Sequence, residues 1–303
     1  MKSTLATHVS RIALAAVVIA SAVLLAVPVF PAEPEYTFFP LDVPSEFGAG
    51  TSAFGINNKG VIVGNFGSVD ETIDGFVFEK GQFTSVTVPG SGFDRGSQLG
   101  VNDQGTTVGT FDDAQTQTGR AYVRSRDGKI TVLPDAAPDA LSTIATGINN
   151  LDTIVGFYRK ADGVRHGFIL RDGKYTTYDY PGAARTFLDG INDHGVIVGR
   201  YRDEDFRAHG FLLLTDGRTV PLEVPGAVQT FTFTGDINNL GQVVGAYEDE
   251  DGIVHGFLFH DGVYTTLDFP GAANTNLLSI NDHGEIVGTY DDASRGLVAL
   301  PTR

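Results

Sequence analysis

The chain has 303 residues, a formal net charge of −16, no cysteine, no tryptophan and 38 glycines, well above the usual glycine share. The missing cysteines exclude disulfides, thiolate metal sites and a cysteine nucleophile. The negative charge disfavours nucleic acid and anionic membrane surfaces as partners, because both repel an acidic protein. Abundant glycine without a collagen period indicates many turns, and hence many short strands.

Residues 1–32 differ in character from the rest. Lys2 and Arg11 are their only charged residues, and residues 12–30 are uncharged and mostly apolar. A basic start followed by an apolar run is typical of a secretory signal peptide, which predicts export to the periplasm or the extracellular space. A retained membrane anchor is the alternative, because the apolar run is just long enough to span a bilayer. The predicted organisation is therefore a signal peptide or anchor at 1–32 and one domain at 33–303.

One phrase recurs throughout residues 33–303, for example GINDHGVIVGRY at 190–201 and SINDHGEIVGTY at 279–290. Its Ile-Asn or Val-Asn pair returns every 43 to 47 residues, and each pair precedes a turn and an apolar run. The six pairs begin at Ile56, Val101, Ile148, Ile191, Ile237 and Ile280. Each unit holds four short apolar runs separated by glycine, asparagine and aspartate, which predicts four strands per unit, named a to d here.

Six four-stranded units of this length predict an all-β fold, a six-bladed β-propeller. The last unit ends with RGLVAL (295–300), a strand c without a strand d, and YTFFPLDVP (36–44) is a strand d without a preceding unit. We therefore expect the N-terminal strand to complete the last blade and close the ring, which removes two exposed edges. An open solenoid is the alternative.

The repeat also resembles a known family. The tripeptide His-Gly-Phe at 166–168, 209–211 and 255–257 is followed by an x-Pro-Gly-Ala turn, which Asp precedes in the first and third copies. This pattern is similar to the secreted HAF-repeat proteins of bacteria, named for His-Ala-Phe. The middle residue departs from the family name. The resemblance covers residues 36–300 and implies the repeat architecture and export, but no activity.

Residues that recur once per blade are interpreted as scaffold. The asparagine of each pair is expected to bond the backbone of its own a–b turn, with a ring around a central channel as the alternative. The recurring threonines, five residues before the Ile or Val, are interpreted in the same way: Thr51, Thr143, Thr186, Thr232 and Thr275. His166, His209 and His255 begin strand c, so we expect them to lie too far apart to share a metal ion.

Sites are expected on one face of the propeller. The b–c loops and the d–a crossovers emerge there, and they vary in length and composition. Aromatic and arginine side chains in the crossovers are the ligand-binding candidates, although the phenylalanines are equally suited to packing between blades. These candidates are Phe93, Arg95, Arg185, Phe187 and Phe231. Asp249 and Asp251 are weak calcium candidates in a b–c loop, because calcium prefers several carboxylate and carbonyl oxygens. No other metal or cofactor is predicted.

The predicted function is a non-catalytic binding module that uses this variable face, with a glycan, small molecule or protein as partner. The alternative is an exported propeller enzyme acting on glycans, as a lyase or hydrolase, or on lactones. Asp189 and Asp236 are its weak catalytic candidates, because they place carboxylates in strand a where most units carry apolar residues or glycine. The sequence leaves open whether the protein is an enzyme.

Overall fold

Short runs of β-branched and aromatic residues form the strands of this protein, and tight turns end them. The computed structural model describes residues 35–92, 96–231, 235–291 and 294–302. Within these residues the strands form six antiparallel sheets, which are the blades of a β-propeller. The predicted fold class is confirmed. The signal-peptide prediction at 1–32 lies outside the described residues.

The chain enters with β1 (Tyr36–Leu41) and then builds blades 1 to 3 in sequence. Blade 1 consists of β2 (Gly48–Ile56), β3 (Ile62–Ser68), β4 (Ile73–Glu79) and β5 (Gln82–Val86). Blade 2 consists of β6 (Ser97–Val101), β7 (Thr107–Asp112), β8 (Gly119–Arg124) and β9 (Ile130–Val132). Blade 3 consists of β10 (Ser142–Ile148), β11 (Ile154–Arg159), β12 (Arg165–Arg171) and β13 (Lys174–Tyr178).

Blades 4 to 6 follow in the same order. Blade 4 consists of β14 (Arg185–Ile191), β15 (Ile197–Arg202), β16 (Ala208–Leu213) and β17 (Thr219–Leu222). Blade 5 consists of β18 (Gln229–Thr230), β19 (Asp236–Ile237), β20 (Val243–Glu248), β21 (Val254–His260) and β22 (Val263–Thr266). Blade 6 contains β23 (Thr275–Ile280), β24 (Ile286–Tyr290) and β25 (Arg295–Pro301).

The N-terminal strand closes the ring. The sheet of blade 6 has the order β1-β25-β24-β23, and β1 pairs antiparallel with β25, with Tyr36 opposite Pro301 and Leu41 opposite Gly296. The predicted completion of the last blade is confirmed, and both strand edges gain hydrogen-bond partners.

Glycines in strand b allow the blades to pack on buried aromatic rings. A Cβ atom at Gly156 would lie 2.0 Å from the backbone oxygen of Ile144 and 2.8 Å from the ring of Phe168. Phe168 of strand c is fully buried, as are Phe211 and Phe257 at the same position of the next two blades. Only a residue without a side chain fits between these groups.

Strand a of blade 5 is interrupted between β18 and β19. Phe231 there has a positive φ of 59°, a conformation that non-glycine residues rarely adopt. The hydroxyl of Thr230 accepts a hydrogen bond from the Val224 N–H at 3.1 Å, as Thr186 does from Tyr180 in blade 4 at 2.9 Å. Thr232, the predicted scaffold threonine of this blade, lies outside the described residues.

No helix among the described residues is long and apolar enough to cross a membrane.

Candidate binding site

The repeated asparagines join the six a–b turns into a ring. In Asn149 the side-chain oxygen accepts hydrogen bonds from the N–H groups of Leu151 and Thr153, both at 3.0 Å. Its Nδ2 donates to the backbone oxygen of Asn192 in the next blade at 3.0 Å. The same inter-blade bond recurs at Asn57, Asn102, Asn192, Asn238 and Asn281, the last donating to Asn57. The turn-forming interpretation is confirmed, and the same side chains also encircle the axis.

A second ring follows directly, built from the residue after each asparagine. We call it the Asn/Asp ring: Asn58, Asp103, Asn150, Asp193, Asn239 and Asp282. Each aspartate Oδ2 accepts hydrogen bonds from the Nδ2 atoms of both flanking asparagines, at 2.9 to 3.0 Å. Each aspartate Oδ1 also accepts the backbone N–H of one flanking asparagine. Amides and carboxylates therefore alternate without a break around the axis.

The Asn/Asp ring closes one end of the central channel. Its three Nδ2 and three Oδ2 atoms form a closed cycle with edges of 2.9 to 3.0 Å. In a flat six-membered cycle every atom lies one edge length from the centre, so one water molecule at the centre would already be at hydrogen-bond distance from all six atoms. The alternation of asparagine and aspartate is visible in the sequence, but only the structure shows that these residues form a ring.

A central cavity of about 310 Å³ lies against the Asn/Asp ring. The charged residues of its wall are not spread evenly over the blades. Blades 1 to 3 contribute apolar side chains, among them Phe54, Leu99 and Phe157. Apart from the Asn/Asp ring, the charged residues that the described chain contributes are Asp189, Arg200 and Asp236, from blades 4 and 5.

Asp189 lies behind Arg200 in the wall. Its side chain is 0% exposed, and its Oδ1 forms an ion pair with the Arg200 Nη1 at 3.0 Å. Its Oδ2 has no hydrogen-bond partner among the described residues. Burial raises the pKa of Asp189 to about 6, and the positive charge of Arg200 limits the rise. Because the carboxyl does not reach the surface of the cavity, Asp189 orients Arg200 and cannot touch a ligand directly.

Asp236 lines the same cavity and is, as a residue, less buried than Asp189. Its Oδ2 accepts a hydrogen bond from the Ser279 hydroxyl at 2.6 Å, and its Oδ1 accepts the Ile237 N–H at 2.8 Å. Burial raises its pKa to about 6 against these hydrogen bonds, and the nearby charge of Asp189 adds to the rise. The structure therefore brings the two catalytic candidates to one cavity, with both carboxyl groups in positions where burial raises the pKa.

The structure places the ligand-binding candidates in different environments. Phe187 is 7% exposed and packs edge-on against Phe157 at 4.9 Å. The guanidinium of Arg185 lies 5.0 Å from the ring of Phe206. Arg185 begins strand a of blade 4, whereas Phe187 is buried and packs between blades 3 and 4, the alternative role for these phenylalanines. Phe93 and Arg95 lie outside the described residues.

Phe231 requires a correction. It is fully buried, and its ring packs against Phe257 at 5.3 Å. It also covers Gly210 of strand c, where a Cβ atom would lie 2.2 Å from the Phe231 ring. In the same way, Leu188 of blade 4 covers the matching Gly167 of blade 3. Phe231 is therefore a core residue between blades and cannot bind a ligand in this conformation.

The strand-c histidines bind acidic side chains of their own blades. His209 stacks on Tyr201 at 4.9 Å and contacts Asp203 through Nε2 at 2.9 Å and Glu223 through Nδ1 at 3.0 Å. Burial lowers the pKa of His209, but the two carboxylates outweigh it and the net shift is upward. Within the described ranges no group of three His, Cys, Asp or Glu residues could hold a metal ion.

The calcium candidates lie in the b–c loop of blade 5. The Oδ1 of Asp249 accepts the N–H groups of Asp251 at 3.0 Å and Ile253 at 2.9 Å, and its Oδ2 contacts His255 at 3.2 Å. Asp249 thus uses both oxygens to hold its own loop, and Asp251 is exposed.

No family model matches the chain, and no curated protein matches it. Among solved structures, a streptogramin B lyase is 11% identical, with 88% of this chain and 98% of that chain covered and a TM-score of 0.52. A lectin of Aleuria aurantia in complex with Fucα1-6GlcNAc is 10% identical, with 86% and 98% covered and a TM-score of 0.50. TolB from Acinetobacter baumannii is 9% identical, with 86% and 65% covered and a TM-score of 0.53. These similarities establish a shared fold.

Proposed function

We propose that this protein is an exported binding module that holds a short glycan on the face carrying the b–c loops and crossovers. The central cavity is the deepest part of this site. A ligand enters from that face, because the Asn/Asp ring closes the other end. The basic and apolar N-terminal segment and the resemblance to secreted HAF-repeat proteins support the export part of the proposal.

One observation carries the proposal: residues that break the six-fold repeat converge on one cavity. Blades 3 and 4 place Phe157 and Arg200 at a position where the other blades carry small side chains. Those smaller residues are Asn65, Thr110, Ala246 and Thr289. A scaffold needs the same residue in every blade, whereas a binding site needs particular residues at one place.

The cavity chemistry suits a sugar. Phe157 offers an apolar face, while Arg200 and Asp236 offer a hydrogen-bond donor and an acceptor. The Aleuria aurantia lectin and the SapL1 lectin, which is in complex with alpha methyl fucoside, have similar folds at TM-scores of 0.50 and 0.51. These neighbours support glycans as the first ligand class to test.

An enzyme is the second candidate, and Asp236, which lines the cavity, favours it. A carboxyl with a pKa of about 6 can act as a general acid near neutral pH. Against this, acid–base catalysis by the predicted pair requires a second carboxyl at the substrate, and the Asp189 side chain is buried.

The test is a thermal-shift screen of the purified protein with neutral and acidic oligosaccharides. A ligand at 100 times its Kd stabilises the fold by about 2.7 kcal/mol, which is readily measured. We expect Phe157→Ala to weaken binding at least tenfold, and Phe39→Ala, on a partly exposed outer strand, to leave it unchanged. Product formation that Asp236→Asn abolishes would instead establish the enzyme. Absence of any shift across the panel would contradict glycan binding.

A further inference from the structure

Five arginines lie together at the b–c end of blades 3 and 4. We call them the arginine cluster: Arg159, Arg165, Arg185, Arg200 and Arg202. All five are partly exposed. The chain as a whole has 21 basic and 37 acidic residues, so this cluster reverses the sign of the surrounding surface.

The strand pairing places four of these charges directly opposite one another. Arg159 pairs with Arg165 across β11 and β12, and Arg185 pairs with Arg202 across β14 and β15. Like charges at opposed positions destabilise a sheet, so fold stability does not explain the arrangement. Where blades 3 and 4 end strand b with arginine, blades 2 and 5 have Asp112 and Glu248.

One aromatic ring joins the two blades of the cluster. The Cζ atoms of Arg200 and Arg165 lie 4.6 Å and 5.8 Å from the centre of the Phe187 ring. Burial lowers the pKa of Arg165, and the positive charges of Arg185 and Arg159 lower it further. The guanidinium groups therefore lie close enough to repel one another electrostatically.

Protein carboxylates neutralise only part of this charge. Arg200 is the only member with an ion pair in the described part of the chain, and its partner is Asp189. Arg202 donates to two neutral acceptors, the Phe206 oxygen at 2.8 Å and the Gln229 Oε1 at 3.3 Å. The nearby carboxylate of Asp203 binds His209.

We infer that the ligand of the proposed site is an acidic glycan whose carboxylates are bound by the arginine cluster. This inference rests on the proposed function. The planar guanidinium fork pairs with carboxylates through two parallel hydrogen bonds, and Phe157 beside Phe187 provides an apolar surface for a sugar ring. A short ligand fits better than a long polyanion, because the field of the cluster is screened within about 8 Å and acidic surface surrounds it.

The experiment compares trigalacturonate with its fully methyl-esterified form by isothermal titration calorimetry. The two probes share their ring hydroxyls and differ in whether the carboxyl groups are charged carboxylates or neutral methyl esters. The variants are Arg165→Gln and Arg185→Gln, and the control is Arg218→Gln, an exposed arginine in the c–d turn of blade 4 paired with Asp216. We expect the ester to bind at least tenfold more weakly than the acid, and each cluster variant to lose about tenfold in affinity for the acid. The control should match the wild type.

Melting temperature provides the second readout. Both cluster variants should melt at or above the wild-type temperature, because each removes a repulsion between opposed arginines. Weaker binding by a protein of undiminished stability distinguishes a ligand-binding role from a structural one.

Three outcomes would overturn the inference. Equal binding of acid and ester, unaffected by the variants, overturns it and leaves glycan binding intact. Binding of neither probe overturns it, and the neutral sugars of the thermal-shift screen then decide the proposed function separately. Tighter, cluster-dependent binding of a thymidine oligonucleotide replaces it with a phosphate-binding surface.

Discussion

The two faces of the propeller are built on opposite principles. At the a–b turns every blade supplies the same asparagine, and every inter-blade bond repeats its neighbour. At the b–c loops the same structural position holds arginine in Arg159 and Arg202 and acids in Asp112 and Glu248. Residues that repeat in every blade therefore build the ring, and residues that depart from the repeat form the proposed ligand site.

The largest expected effect comes from breaking the repeated face. Asn149→Leu removes two turn hydrogen bonds and one inter-blade bond at a buried position. We expect a loss of about 3–5 kcal/mol in the free energy of unfolding, because several buried polar groups lose their partner. Urea unfolding measures it. Asn276→Leu, at a partly exposed strand position, is the control and should cost less than 1 kcal/mol. Equal losses of unfolding free energy in the two variants would contradict a main role of the asparagine ring in stabilising the propeller.

A subtler change tests the charge pattern of the Asn/Asp ring. Asp193 accepts three N–H groups, from the Asn150 backbone and from the amides of Asn150 and Asn239. Asp193→Asn keeps the shape, but in either orientation its NH₂ group meets a donor. We expect a loss of about 1–3 kcal/mol in thermal unfolding. Asp172→Asn, in an exposed turn at a φ of 51° that asparagine also tolerates, should be neutral. A neutral Asp193→Asn would show that the alternation is dispensable.

The two carboxyl groups of the cavity wall should make the free energy of unfolding depend on pH. The pKa values of Asp189 and Asp236 rise from 3.8 to about 6 on folding. Between these values the folded protein binds more protons than the unfolded chain, so the free energy of unfolding falls as pH rises through this window. We expect Asp236→Asn to remove about 1–3 kcal/mol of this fall. Unfolding curves across the window measure it, and an unchanged slope would mean that Asp236 is solvated.

The smallest effect is expected at the outer strands. The raised pKa of His209 means that its protonated form stabilises the fold below the ordinary value of 6.5, and that this contribution is lost as pH rises through the folded value. His209→Gln should cost about 1 kcal/mol or less at mildly acidic pH and nearly nothing at mildly alkaline pH, because its partners are partly exposed. His194→Gln, in an exposed turn, should be neutral at both. Equal costs at the two pH values would assign His209 to packing with Tyr201.

The sequence predicts the repetitive half of the molecule well. Blade number, strand order and ring closure follow from the spacing of the Ile-Asn pairs and from the unmatched strand at 36–44. These features depend on local patterns of turns and apolar runs, which each unit carries within itself. Blade 5 is different, because only the structure shows that Thr230 accepts a backbone N–H as Thr186 does in blade 4.

The site is much less predictable than the scaffold. Asp189 and Asp236 stand out as departures from the repeat, yet their partners, Arg200 for Asp189 and Ser279 for Asp236, come from other strands. The sequence does not predict the arginine cluster, because Arg165 and Arg185 come together only through the packing of blade 3 on blade 4. The charge of the cluster therefore comes from residues of two blades that only the fold brings together.

The alternation in the Asn/Asp ring also limits how this protein can change size. Strict alternation around a circle closes only with an even number of members, and here three asparagines face three aspartates. Adding or deleting one blade would set two carboxylates, or two amide donors, side by side at the axis. The unit of architectural change is therefore a pair of blades, and a ring of four or eight could keep this closure where a ring of five or seven could not.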